Sequence, residues 1–172
     1  MLKNFFLWTL LFCLCCFFTL DCDGSDVGTE IWPADAISLH ATSSSGFVPQ
    51  PPEGSDCSAG AAEYELNIAS GKLEWTLCIV DDWETPWLQS SGSRILTTAE
   101  LETIDEVMNG LSIYEGDMCG ADKGMLTVQV ATPEGISTYH DNFYSCHGDD
   151  KVYVENIDSV FSALRKLVTL PS

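Results

Sequence analysis

Residues 64–79 read YELNIASGKLEWTLCI, and this stretch decides the architecture. Tyr64, Leu66 and Ile68 alternate with Glu65, Asn67 and Ala69, the two-residue period of a strand with one buried face. Ser70-Gly71-Lys72 supplies a turn. Leu73, Trp75, Leu77 and Ile79 then resume the apolar phase, so the sequence predicts a β-hairpin. A second hairpin is predicted further on. Leu126, Val128 and Val130 alternate, Thr132-Pro133-Glu134-Gly135 turns, and Tyr139 and Phe143 return.

Between the hairpins the pattern changes to a helical one. Thr97 and Glu100 stand at capping-box spacing, and Gly110 supplies a stop. Leu101, Ile104, Val107, Met108 and Leu111 form one stripe, which predicts an amphipathic helix over 98–109. Residues 151–155, KVYVE, read as a further short strand. A last helix carries the stripe Ile157, Val160, Phe161, Leu164, Leu167 and Val168, with Asn156 at its cap position. Strands joined by hairpins and followed by helices favour an α+β fold. The expected form is an antiparallel sheet of two hairpins plus a short strand, covered by two amphipathic helices over residues 57–170.

Upstream, the chain is of a different kind. Residues 5–20, FFLWTLLFCLCCFFTL, are uncharged and follow Lys3, while every acid lies at or beyond Asp21. Sixteen helical residues rise about 24 Å, short of a hydrocarbon core, and a basic start with such a run is a secretory pattern. Residues 1–24 are therefore expected to be a signal peptide or membrane anchor. Cys22 is a possible lipidation point, although Thr19-Leu20-Asp21 lacks the small residues of a lipoprotein junction. Residues 25–56 read as an acidic, Ser-Pro-Gly-rich tether with one short strand, 35–41, at a sheet edge.

The chain has 26 acids against 7 bases, a net charge of −19. Removal of Lys3, Asp21 and Asp23 with the leader leaves −18. Such a surface repels phosphate backbones and anionic headgroups, so no nucleic-acid partner is expected. Membrane attachment is expected only through the N-terminal segment or a lipid. Cationic partners are allowed.

Four cysteines follow the leader: Cys57, Cys78, Cys119 and Cys146. An even number in an exported chain points to disulfides. If Ala131 faces Ile136 in the second hairpin, Cys119 and Cys146 fall at its open end, which predicts Cys119–Cys146. Cys57–Cys78 follows by elimination. The spacing of cysteines and histidines matches no zinc pattern.

Sites with chemistry are few. The segment Tyr139 to His147 places His140, Asp141 and His147 close together in sequence, a weak set for a divalent metal or a metal-dependent hydrolase. Asp141 shares the inward phase of Tyr139, and a buried carboxylate needs a partner such as a backbone N–H or a tyrosine hydroxyl. The loop Asp81-Asp82-Trp83-Glu84-Thr85-Pro86-Trp87 offers two tryptophans that suit a sugar face or a protein partner. Cys119 to Gly124 reads as a disulfide-anchored turn. No nucleophile, Walker or dinucleotide motif occurs, so no catalytic residue and no cofactor is assigned.

The element order over residues 64–146, with its Cys119 and Cys146 frame, is similar to secreted bacterial subtilisin inhibitors of the two-disulfide kind. That resemblance implies inhibition of a protease through a cysteine-flanked loop bearing prolines. Here Ile113 to Lys123 holds Cys119 alone and no proline. The leading expectation is a non-enzymatic module, secreted or held at a bacterial cell envelope, that binds a protein or glycan. A secreted protease or lysozyme inhibitor comes second, and the metal-dependent hydrolase third.

Overall fold

The structure is a computed structural model, and it describes residues 30–44, 46, 49–120, 123–145 and 150–168. The chain divides into residues 1–30 and a larger unit of 31–172, the domain treated below. Residues 1–24, expected to be a leader or anchor, and Cys22 among them lie outside the described residues, as do Cys146 and His147. No helix of the described residues is long and apolar enough to cross a membrane.

The described residues form an α+β domain with an eight-stranded mixed sheet and two α-helices. In chain order the strands and helices are β1 (Ser38–Ser43), β2 (Ala62–Asn67), β3 (Lys72–Ile79), β4 (Leu88–Ile95), α1 (Thr98–Asn109), β5 (Ser112–Ile113), β6 (Leu126–Thr132), β7 (Gly135–Asp141), β8 (Val152–Glu155) and α2 (Ile157–Leu167). Their order across the sheet is β4-β3-β2-β1-β6-β7-β8-β5.

Both expected hairpins are present. Leu66 faces Leu73 across the first turn, where Gly71 adopts a left-handed φ of 65°, and Ala131 faces Ile136 across the second. Alternation then places one residue in two on the covered face. A row of side chains runs Trp75, Tyr64, Ala41, Val128, Tyr139 from strand to strand, and a second runs Leu73, Leu66, Leu39, Val130. All of these are buried. Ile104 and Met108 of α1, with Ile157, Val160 and Leu164 of α2, close the core from above. The opposite face carries His40, Glu63, Glu65, Glu74 and Gln129.

The first helix occupies the residues expected of it. Thr97 Oγ1 accepts from the Glu100 N–H, and the Glu100 carboxylate accepts from the Thr97 N–H at 2.8 Å, a complete capping box. Arg94 of β4 donates to both Glu100 oxygens at 2.7 Å and to the Leu167 carbonyl at 3.1 Å. It thus ties the start of α1 to the end of α2.

Several expectations need correction. The strand expected at an edge, 35–41, is instead β1 at residues 38–43, and it pairs with both β2 and β6 inside the sheet. The stretch 25–56 is accordingly not all tether. Ile31, Trp32, Leu39 and Ala41 belong to the core, and the Trp32 indole donates to Asp105 at 2.8 Å. The sheet is not wholly antiparallel, because β8 runs parallel to β7. Two strands went unanticipated, β4 and the two-residue β5. The polar run QSSGS forms β4 because its backbone pairs with β3 while glycine at 92 makes room for the Trp75 ring. The return strand stops at Asp141, and Phe143 sits in a one-turn 3-10 helix, Asn142–Tyr144. Asn156 makes no side-chain cap. It adopts left-handed φ and donates from its amide to the Gly110 carbonyl at 3.2 Å.

One disulfide is present among the described residues, Cys57–Cys78, with the two Cα atoms 5.6 Å apart. The Cys119–Cys146 pairing involves a residue outside them. A bridge closing a loop of this length stabilises by roughly 3 kcal/mol.

Candidate functional site

Where the loop 81–87 leaves β3, its own side chains shape it. Asp82 Oδ1 accepts the Glu84 N–H at 3.1 Å, which bends the chain directly after Trp83. The loop is then stitched to the segment before Cys57. The Trp87 N–H donates to Ser55 Oγ at 2.9 Å, and the Asp56 N–H donates to the Trp87 carbonyl at 3.1 Å. The Gln89 N–H completes the seam with a 2.7 Å bond to the Asp56 carboxylate.

This framework gives the two tryptophans opposite fates. Trp87 is 1% exposed and belongs to the interior, whereas Trp83 is 57% exposed. The indoles meet edge to face, centroids 5.3 Å apart at 86°. The buried ring therefore buttresses the exposed one and limits its rotamers.

Trp83 lines a groove of about 600 Å³ between α2 and the ends of β1, β2, β3 and β6. Phe161 and Arg165 of α2 also line it, with Lys123 from the loop entering β6. Tyr64 lies at the floor, its ring edge-on to Phe161 at 6.2 Å. Burial pushes the Tyr64 phenol above its ordinary value, and the charge of Arg165 and a hydrogen bond to it offset part of that shift. Ala59, Gly60 and Ala61 form a low wall held in place by the Cys57–Cys78 bridge next to them.

Lys123 is fixed by two carboxylates. Its Nζ lies 2.6 Å from Asp141 Oδ2 and 2.8 Å from Asp158 Oδ2. Partial burial lowers the ammonium's pKa, and the hydrogen bonds and charges of Asp141 and Asp158 more than reverse this, leaving it raised. Asp141 is 1% exposed, and its other oxygen accepts the Phe143 N–H at 3.0 Å. The expected backbone partner is thus present, and the lysine is an addition that spacing could not reveal.

Of the suggested metal set, the two described residues are not brought together. His140 and Asp141 are neighbours on β7 and so point to opposite faces of the sheet. Asp141 faces α2 and Lys123, whereas His140 Nδ1 lies 3.3 Å from Thr127 Oγ1 on the other face. His147 is outside the described residues. No cluster of three metal-ligating side chains occurs among the described residues.

The open face holds another polar group. His40 Nε2 lies 2.9 Å from Glu63 Oε1, and Nδ1 lies 3.2 Å from Gln129 Oε1. Gln129 Nε2 donates to Thr138, which turns its oxygen toward the imidazole. Two acceptors on one ring are both satisfied only by the doubly protonated form. Burial lowers the His40 pKa, but the bonds to Glu63 and Gln129 and the charges of Glu63 and Glu65 outweigh it, so the value is raised.

Of the groove residues, sequence reading singled out Trp83 as a binding residue. Phe161 read as core stripe and Arg165 as a helix-end charge. Tyr64 read as one inward strand residue among several. They come together where α2, packed across β6 and β7, brings Phe161 to Tyr64, which no local pattern encodes. The chain matches no protein-family model, and no curated protein matches it.

Proposed function

We propose that this chain is an exported, non-enzymatic binding module whose ligand, a protein or glycan, seats in the groove beneath Trp83. The observation that carries the reading is Trp83 itself, a large apolar ring left 57% exposed at the mouth of a concave surface. Exposed tryptophans of this kind are the usual anchors of recognition surfaces. The ring is also pre-set by Trp87, which reduces the ordering cost of binding. His140 and Asp141 facing apart favours binding over hydrolysis.

The test is affinity capture from culture supernatant and envelope extract, beside a glycan array, with wild type and Trp83→Ala. A partner lost from the variant and retained by Trp83→Phe supports the module. An identical set of partners for both variants refutes it.

Export and a second disulfide belong to the same reading. Cys57–Cys78 is compatible with an oxidising compartment. We infer a Cys119–Cys146 bridge from the Cys119 N–H, which donates to the carbonyl of Ser145, the residue before Cys146, at 2.7 Å. Peptide mapping without reductant checks both bridges, and the mass of the mature N-terminus checks removal or lipidation of the leader.

A further inference from the structure

We infer that β4 pairs with β4 of a second copy of this chain, antiparallel and about a two-fold axis through Ser93, so that two eight-stranded sheets become one. The inference is independent of the groove, which no residue of β4 lines.

Backbone alternation decides which groups of β4 are free. The strand is the last on its side of the sheet and pairs with β3 alone. The Leu96 N–H donates to the Gly71 carbonyl at 2.8 Å, and the Cys78 N–H donates to the Ala61 carbonyl, on the β2 side of β3, at 3.0 Å. Both bonds place Ser90, Gly92 and Arg94 in hydrogen-bonded register with β3. Gln89, Ser91, Ser93 and Ile95 therefore aim their N–H and C=O groups at the open edge.

This edge is closed at both ends. The Gln89 N–H donates to Asp56 Oδ1 at 2.7 Å, and the Trp87 carbonyl accepts the Asp56 N–H at 3.1 Å. At the other end the Thr97 N–H donates to the Glu100 carboxylate at 2.8 Å. Among the described residues, the outward backbone groups of Ser91, Ser93 and Ile95 meet no partner. The open stretch is centred on Ser93.

The devices that keep strand edges apart are missing. Proline, lysine and bulges commonly blunt an edge. β4 contains neither residue, and its pairing with β3 runs unbroken from Lys72–Ile95 to Ile79–Leu88. Its one charge, Arg94, is turned to Glu100 at 2.7 Å. The opposite edge of the sheet is guarded by brevity, because β5 has two residues.

Symmetry and charge select a second copy as the occupant. A two-fold contact needs a surface that fits itself. With the axis at Ser93, Ser91 of each copy faces Ile95 of the other, and the two Ser93 residues face each other. Three such pairs exchange about six hydrogen bonds. The closed positions, Gln89 and Thr97, fall opposite one another, so no capped group is asked to pair. The side chains of Ser91 and Ser93 are small and lie on the open face, where Ser91 Oγ is 3.0 Å from Thr76 Oγ1. A chain of net charge −19 repels its own copies, but residues 85–99 contain no aspartate or glutamate, so the paired strands add nothing to that repulsion.

The experiment measures the mass of the full chain, purified without reductant, by light scattering over a wide range of concentration. A dimer is expected, and it should tighten as salt screens the net charge. Ser93→Pro removes an outward N–H without taking a bond from the sheet, and Ser93→Lys sets like charges face to face at the axis. Each should weaken the dimer about tenfold or more, with the fold verified by circular dichroism. Ser93→Cys should give a disulfide-linked dimer on mild oxidation, because the facing Cα atoms of such a pair lie about 5.5 Å apart, within disulfide reach. Gln89→Cys, at a position that Asp56 closes, should not.

A single-chain mass at every concentration overturns the inference. So does an oligomer of any size that Ser93→Lys and Ser93→Pro leave intact. Cross-linking through Gln89→Cys and not through Ser93→Cys overturns it as well.

Discussion

Lys123 reaches the buried carboxylate of Asp141 at 2.6 Å while touching Asp158 on the surface of α2 at 2.8 Å. One side chain thereby fastens the loop entering β6 to the end of β7 and to the last helix. Removing it strands Asp141, a negative charge without water or a counter-ion, which is the costly way to break such a pair. Lys123→Met should lose about 2 kcal/mol in urea unfolding, discounted because the ammonium is partly solvated. Asp141→Asn in the same chain should recover part of the loss. Because the folded Lys123 pKa is raised above 10.5, its contribution is complete below pH 10.5 and disappears as pH rises through the folded value.

The two tryptophans of the 81–87 loop should separate cleanly by stability. Trp87→Ala empties a fully buried position and should cost about 3–5 kcal/mol, while Trp83→Ala should stay near wild type. Thermal melts of both variants check this. Equal losses would mean that the exposed ring is part of the core.

Gly92 should tolerate no side chain. A Cβ there would collide with the Trp75 indole, whose ring covers the glycine from the neighbouring strand. Gly92→Val should destabilise by about 1–3 kcal/mol through overpacking, with a blue or red shift of tryptophan emission as Trp75 moves.

His40 should make the stability depend on pH near neutrality. Its folded pKa is raised above 6.5, so the contribution is complete below pH 6.5 and fades as pH climbs through the folded value. Denaturation midpoints between pH 5 and 9 should therefore decline across that window. His40→Gln should flatten the decline.

Opening the Cys57–Cys78 bridge should cost about 3 kcal/mol by the Cys57→Ser, Cys78→Ser double variant. The Ala59 to Ala61 wall should loosen at the same time, visible as faster amide exchange there. Protection equal to wild type would detach the bridge from the groove.

The hairpins, α1 and the stripe of α2 were legible because each announces itself locally. Leu66 and Leu73 share a phase across a glycine turn, and Thr97 with Glu100 marks a helix start. What escaped was whatever another segment decides. Ser38–Ser43 offers only Leu39 and Ala41 to the core, too weak a signal for an interior strand, yet Tyr64 and Val128 on either side demand a small residue at 41. Gln89 to Ser93 is polar on both faces and becomes a strand only because β3 needs a partner. Trp83 stood out from its loop alone, while Lys123, Arg165 and Phe161 join it around the groove only through tertiary packing.

The placement of Ser38–Ser43 between β2 and β6 also bears on where this protein can be cut. A chain trimmed to begin at Cys57 would keep α1, α2 and both hairpins yet lose the seam between the hairpins. Two half-sheets would then face each other with bare hydrogen-bonding rims, the state most inclined to self-association and precipitation. The apparent linker is the keystone, and recombinant work on this domain has to start before Ile31.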